Sequence, residues 1–197
     1  MSAAQMAKLM TANLAELRPR IEAPPAVAET LDRCQTAPEA LEALVQGGFM
    51  SEAMRLIAHG LPRREGVWWV CMCARHTATA DLGAADLAAL EAAELWVRRP
   101  TDENRRAAFA RAEEARFGTP EAWACVAAFW SAGSMAPLGQ PEVPAAPHLA
   151  GTAIAGAVSL AAVRGKPARQ PERLTRFLES ARDISAGGTG RLAAEAE

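Results

Sequence analysis

The chain has 197 residues, half of them apolar, with no tyrosine and a formal charge of −2. That length suits one domain with a real core, and the alanine-rich composition favours an all-α protein. The weak negative charge gives no electrostatic reason to expect nucleic acid, which normally requires a basic face.

Residues Met6 to Leu17 form an amphipathic helix candidate that stops near Pro19, and Pro24 and Pro25 mark a linker. Residues 1–25 are therefore expected as an N-terminal helix and linker ahead of a helical domain over 26–186. Thr36 is an N-cap followed by Ala37, Pro38 and Glu39, with proline at the second helical position and acid in the first turn. Leu41, Leu44 and Val45 supply an apolar stripe, and Gly47-Gly48 ends this helix. The next runs from Ser51, with Met54, Ile57 and Ala58 on one side, to Gly60.

RREGVWWVCMCARH, from Arg63 to His76, has the density of large apolar residues expected of a central helix. Trp68, Cys71, Met72 and Arg75 share one face; Trp69, Cys73 and His76 share the adjacent one. Neighbouring residues point about 100° apart on a helix, so this element needs two packing partners.

A further helix covers about Ala84 to Arg98, with Leu87, Leu90, Glu91 and Leu95 on related faces, and Pro100 closes it. Thr101-Asp102-Glu103 starts another that carries Phe109 and ends at Phe117-Gly118. Thr119-Pro120-Glu121 opens the next, which contains Trp123, Val126, Phe129 and Trp130. TAPEALEALV at Thr36 resembles TPEAWACVAAF at Thr119 only in capping chemistry and an alanine pattern. No fixed repeat period holds.

From Trp130 to Leu149 helical periodicity is lost, and Pro137, Pro141, Pro144 and Pro147 restrict the backbone toward extended conformations. Loops longer than about 12–15 residues inside compact domains tend to be functional or disordered. This one is either a structural strap or a binding element, since a proline-stiffened segment loses little entropy on docking.

A last pair of helices spans roughly Leu149 to Val163 and Pro171 to Ile184, and residues 187–197 are expected to be a mobile tail. Ala150 to Val163 is uncharged but reaches only about two-thirds of the roughly 20 residues a membrane span needs. Gly151 and Gly156 suit close helix packing instead. No apolar leader follows Lys8, so a cytoplasmic location is expected. The fold class is thus a compact all-α array of about seven or eight antiparallel helices with one long proline-rich loop.

Chemistry-bearing patterns are sparse. Cys34, Cys71, Cys73 and Cys125 read as reduced core thiols. Cys71 and Cys73 lie about 200° apart on a helix and cannot face one ion, while Cys73 and His76 are two ligands where zinc takes three or four. A Cys73/His76 nucleophile and base is geometrically allowed, but burial in a tryptophan-rich helix would leave the thiol inert. Ser131 and Ser134 in WSAGSM do not form a G-x-S-x-G elbow. His148 is expected to bond a backbone carbonyl and fix the loop. Arg98, Arg99, Arg105 and Arg106 read as a surface ion-pair network with Asp102, Glu103, Glu113 and Glu114. No catalytic residue, cofactor or metal site is assigned.

LPRREGVWWVCMCAR, AELWVRRPTDENRRAAF and FWSAGSMAPLGQPEVPAAPHL resemble three signature blocks of an uncharacterised bacterial family, a domain of unknown function, over about Leu41 to Val163. Where this chain has Gly66 the family usually has alanine, a helix-weakening departure. The resemblance implies genes beside type VI secretion tip, spike and chaperone genes. The expectation is therefore a non-enzymatic cytoplasmic adaptor or chaperone-like protein for a type VI secretion spike or effector. Its expected partner is a spike, effector or associated chaperone, not nucleic acid or membrane. Trp130, Ser134, Met135, Gln140, Pro141 and His148 are the expected contact region. The alternatives are a small enzyme with a site between the loop and Cys73/His76 or Ser134, and a structural homo-oligomer.

Overall fold

A computed structural model describes residues 6–9 and 11–195. The first five residues of the expected N-terminal segment, residue 10 within the expected Met6–Leu17 helix, and the last two residues of the tail lie outside the described residues.

The fold is all-helical. In chain order the helices are α1 (Leu14–Ile21), α2 (Pro25–Asp32), α3 (Ala37–Gln46), α4 (Met50–Gly60), α5 (Arg63–Thr77), α6 (Ala84–Arg98), α7 (Asp102–Glu114), α8 (Pro120–Trp130), α9 (Leu149–Val163) and α10 (Gln170–Ser185). A 3-10 turn at Pro167–Arg169 leads into α10. No helix among the described residues is long and apolar enough to cross a membrane.

Local chemistry sets most helix starts. Thr36 and Glu39 form a reciprocal capping box at α3. Thr101 and Thr119 accept from the backbone N–H of Asn104 and Ala122 to cap α7 and α8. The amino end differs from its sequence reading. The helix expected over Met6 to Leu17 begins only at Leu14, because the Asn13 side chain accepts from the Ala15 N–H and caps it there. Pro19 lies inside α1 and does not end it; the stop comes at Glu22, in the left-handed region at φ 51°. Pro25 is the first residue of α2, the helical position proline tolerates best, so the expected linker contains a further two-turn helix.

α8 and α9 pack on each other at the middle of the array. Around them, α6 and α7 lie against α8, α4 lies against α9, and α5 touches both. α5 is as central as its composition indicates, because it also meets α6 and α10. Trp69 is fully buried and its Nε1 donates to the Phe177 carbonyl on α10 at 2.9 Å. Trp68, on the neighbouring face, is partly buried and donates to the Thr189 carbonyl at 2.7 Å.

Close approach in this core rests on small side chains. Eight residues of α9 are buried, and six of them are alanine or glycine. A Cβ on Gly66 would stand 2.6 Å from Ile154 Cδ1, so this glycine lets α9 seat against α5. Its cost to helix propensity thus has a packing reason. Gly151 faces the His59 ring with no room for a Cβ, whereas Gly156, expected to act likewise, faces open space. On α6 the residues grouped by periodicity are split between core and surface. Leu87 and Leu95 are exposed, and Ala89, Leu90, Ala93, Glu94, Trp96 and Val97 are buried.

Two ion pairs cross the core. The Glu121 carboxylate, wholly buried in the first turn of α8, accepts from the Arg164 guanidinium that follows α9; Arg164 also donates to the Ala74 carbonyl of α5. Arg75 makes a two-pronged contact with buried Glu94, which raises the Arg75 pKa. The amino end closes on α10: Lys8 and Leu9 backbone N–H groups donate to the Ser185 carbonyl and hydroxyl at 3.2 Å each.

Candidate functional site: the proline-rich loop

The loop between α8 and α9 has a fixed base and an exposed tip. At the base, the end of α8 leaves carbonyls without intrahelical partners, as every helix does. Ser131 Oγ donates to the Ala127 carbonyl at 2.7 Å, and Arg63 Nη1 donates to the Ser131 carbonyl at 2.6 Å. Arg105 Nη1 takes the Phe129 carbonyl at 2.8 Å, deep in the protein. Cations suit this end of a helix because the macrodipole is negative there.

Arg105 is the organising residue. It is 1% exposed, lies 4.5 Å from the centroid of the Phe129 ring, and also donates to the Ser134 carbonyl at 2.8 Å and to Asp102. Phe129 is sandwiched by Phe109, whose ring stacks at 4.3 Å. Gly133, at φ +64°, passes so close to the guanidinium that a Cβ would sit 3.0 Å from it. Arg106 reinforces the arrangement, donating to the Ala136 carbonyl at 2.9 Å and to Asp102. These hydrogen bonds from Arg106 and Arg105 hold the Asp102 carboxyl below the usual carboxylate range. The sequence reading of Arg105 and Arg106 as part of a surface ion-pair network is therefore corrected. Asp102 is their shared partner, but both guanidiniums reach past it to the loop backbone.

Ser134 folds the loop onto itself. It forms an isolated antiparallel bridge with Pro144, and the adjacent Met135 N–H donates to the Val143 carbonyl at 2.7 Å. Ser134 Oγ accepts from the N–H groups of Ala136 and Val143 at 3.1 and 2.9 Å. Beyond this clasp, Gln140 N–H donates to the Pro137 carbonyl across a turn whose third residue, Gly139, has φ +81°, the position a type II turn gives to glycine. Leu138 stands at the head of this turn 78% exposed, and Val143 is 49% exposed. Gln140 and Pro141 are also exposed.

The expected contact residues thus fall into four places. Ser134 and Met135 form the clasp, and Gln140 and Pro141 lie at the tip. Trp130 is part of α8, half-buried, with its ring edge-on to Trp123 at 6.3 Å. His148 starts α9 at the far end of the loop, where its backbone carbonyl accepts from Thr152. Its ring makes no hydrogen bond among the described residues, so the expected ring-to-carbonyl contact is replaced by a backbone one. The sequence reading omitted Leu138, Val143 and Arg63. A PLGQ turn between prolines was the available signal for Leu138; nothing local marks Arg63 or Arg105 as loop anchors.

The residues of the enzyme alternative are dispersed. Cys73 is wholly buried, and desolvation pushes its thiol pKa well up. His76 Nδ1 meets the Ala193 carbonyl, and its ring lies edge-on to Phe177. The Ser134 hydroxyl is committed to the loop backbone. All four cysteines are free and buried, and no cluster of three or more metal-ligating side chains occurs among the described residues.

At the base of the loop, Pro147 borders a cavity of about 500 Å³ that is also lined by Arg20, His59, Arg63 and Gly151. Desolvation, then the nearby charges of Arg20 and His148, lower the His59 pKa to about 4. His59 is therefore neutral at pH 7 and serves as a packing surface for α9.

No curated protein and no solved structure matches this chain. A family model does match residues 40–185, from within α3 to the end of α10 and including the whole loop. The chain accordingly belongs to the family of unknown function DUF6931.

Proposed function

We propose that the chain is a non-enzymatic, cytoplasmic adaptor or chaperone-like protein that presents the tip of its proline-rich loop to a protein partner. The observation that carries this reading is the contrast within one loop. Arg105, Arg106 and Ser134 pin its backbone, while Leu138 and Val143 face solvent. An apolar side chain held out on a restrained turn is a binding anchor whose ordering cost is already met by the fold. The loop is then both strap and binding element, divided at the Ser134 clasp. A type VI secretion spike, effector or associated chaperone is the proposed partner class, resting on the resemblance of the loop and tryptophan blocks.

Burying an exposed leucine contributes about 2 kcal/mol, or roughly 30-fold in affinity. Pull-down of co-expressed spike and effector candidates should therefore lose most bound partner with Leu138→Asp and more with Leu138→Asp/Val143→Asp. Leu87→Asp, exposed on α6, should leave it intact. Failure of the wild type to retain any candidate, or equal retention by the loop variants, would sink the proposal.

A further inference from the structure

The segment after α10, expected to be mobile, lies along α5 and α10. Trp68 holds the Thr189 carbonyl, Ser180 Oγ holds the Gly190 carbonyl, and Asp183 accepts from the Gly190 N–H. Further on, the Glu195 N–H donates to the His76 carbonyl at 2.8 Å, a free acceptor in the last turn of α5.

The Glu195 carboxylate then enters a basic cleft. Arg173 Nε and Nη2 reach it at 3.1 and 2.7 Å, and Arg169 at 3.3 Å. The Arg173 side chain is 4% exposed, and its remaining nitrogen donates to the carbonyls of Ala162 and Arg164 at the end of α9. Lys166 lines the same cavity, of about 640 Å³, with Thr77, Thr79 and Asp81. A buried guanidinium fixed in this way is costly without an anion beside it, so the cleft requires a carboxylate or its equivalent.

The segment that supplies the carboxylate touches the core through Leu192 but lies mostly at the surface. Of residues 187–195, Gly190 is buried, Leu192 and Glu195 are half-buried, and the rest are exposed. A second cavity, of about 580 Å³, lies between residues 191–195 and Glu172, Arg176 and Glu179 of α10. The receiving residues His76, Lys166, Arg169 and Arg173 fall inside the family match, and the strap falls outside it.

We infer that this cleft is a docking site for an extended peptide bearing a carboxylate, which residues 187–195 occupy in cis and an acidic partner segment takes by displacing them. Recognition has two parts: a guanidinium fork for the acid and the His76 carbonyl for the backbone N–H of the same residue. Inorganic phosphate shares the first part only.

The test uses the full chain and C-terminally amidated fluorescent peptides, the first being GGTGRLAAE, copied from residues 187–195. Glu195→Gln weakens the cis occupant at a partly exposed position, so this variant should bind the peptide about tenfold more tightly than the wild type. A peptide ending in glutamine should bind it about tenfold more weakly, and adding Arg169→Gln to the variant should also reduce binding. Hydrogen exchange at residues 189–195 of the wild type should accelerate when the acidic peptide is added. Absence of binding to a Glu195→Gln chain with unchanged circular dichroism, equal binding of both peptides, or unaltered exchange would overturn the inference. So would complete displacement of the peptide by millimolar inorganic phosphate, which would make the cleft a simple anion site.

Discussion

Replacing Arg105 with methionine keeps a long apolar stem and removes the guanidinium. Two charge-assisted hydrogen bonds are lost, to the buried Phe129 carbonyl and to the Ser134 carbonyl, each worth about 1.5–3 kcal/mol. The contact with Asp102 adds less than about 1 kcal/mol, because that carboxylate is 52% exposed and screened. Against this, the buried cation no longer has to be desolvated, and methionine packs against Phe129. The net loss is about 3 kcal/mol, or roughly 6–12 °C in Tm for a chain of this size. Urea unfolding should show a lower midpoint with an unchanged slope, and limited proteolysis should cut the loop faster. Arg105→Lys keeps the charge but cannot span three acceptors in one plane, so it should resemble methionine more than arginine. A stability loss under about 1 kcal/mol with an unaltered loop cleavage rate would refute the assignment of Arg105 as the loop anchor.

Two further outcomes follow from partly or wholly buried groups elsewhere. His59 has its pKa lowered to about 4, so the native state favours the neutral ring and its stabilising effect is complete above the unfolded value near 6.5. That stability is lost as pH falls from about 6.5 to 4, by on the order of 2 kcal/mol once solvent screening of the half-buried ring is discounted. His59→Gln should flatten the stability curve in that window, and a variant with the wild-type slope would contradict the assignment of a neutral, half-buried ring. Burial raises the thiol pKa of Cys71 and Cys73 and pushes that of Cys125 up to about 12. The native chain should thus leave these three thiols unlabelled by iodoacetamide at pH 8, and urea should expose all four cysteines; rapid native labelling of Cys73 would revive the nucleophile alternative.

Features visible in the sequence were those whose cause is local. Threonine caps, proline in the first turn, and glycine or proline after the last periodic residue act within a few residues of chain, so α3, α6, α8 and α9 are legible almost to the residue. The early proline positions misled because proline's effect depends on its place in a helix. Pro25 at the first position begins α2, and the α1 boundary is set by Asn13 and by Glu22. Periodicity put Leu87, Leu90, Glu91 and Leu95 on related faces of α6 without saying which face is buried, and packing turns Glu94 and Trp96 inward, where Glu94 meets Arg75.

The candidate site divides the same way. Pro137, Gly139 and Pro141 mark an ordered turn in the sequence itself, because they restrict or permit backbone angles without reference to anything distant. Which part of the loop faces solvent was decided by Arg105, 29 residues from the Ser134 it binds, and by Arg63, 68 residues from Ser131. The fate of Glu195 likewise depends on Arg173 and on the end of α5. The sequence by itself determined an all-helical chain interrupted by one stiff loop, since propensity, capping and proline geometry are properties of short segments. Only the tertiary structure decided which arginines are buried and which loop residues are left exposed, because burial and charge pairing arise between segments that packing alone brings together.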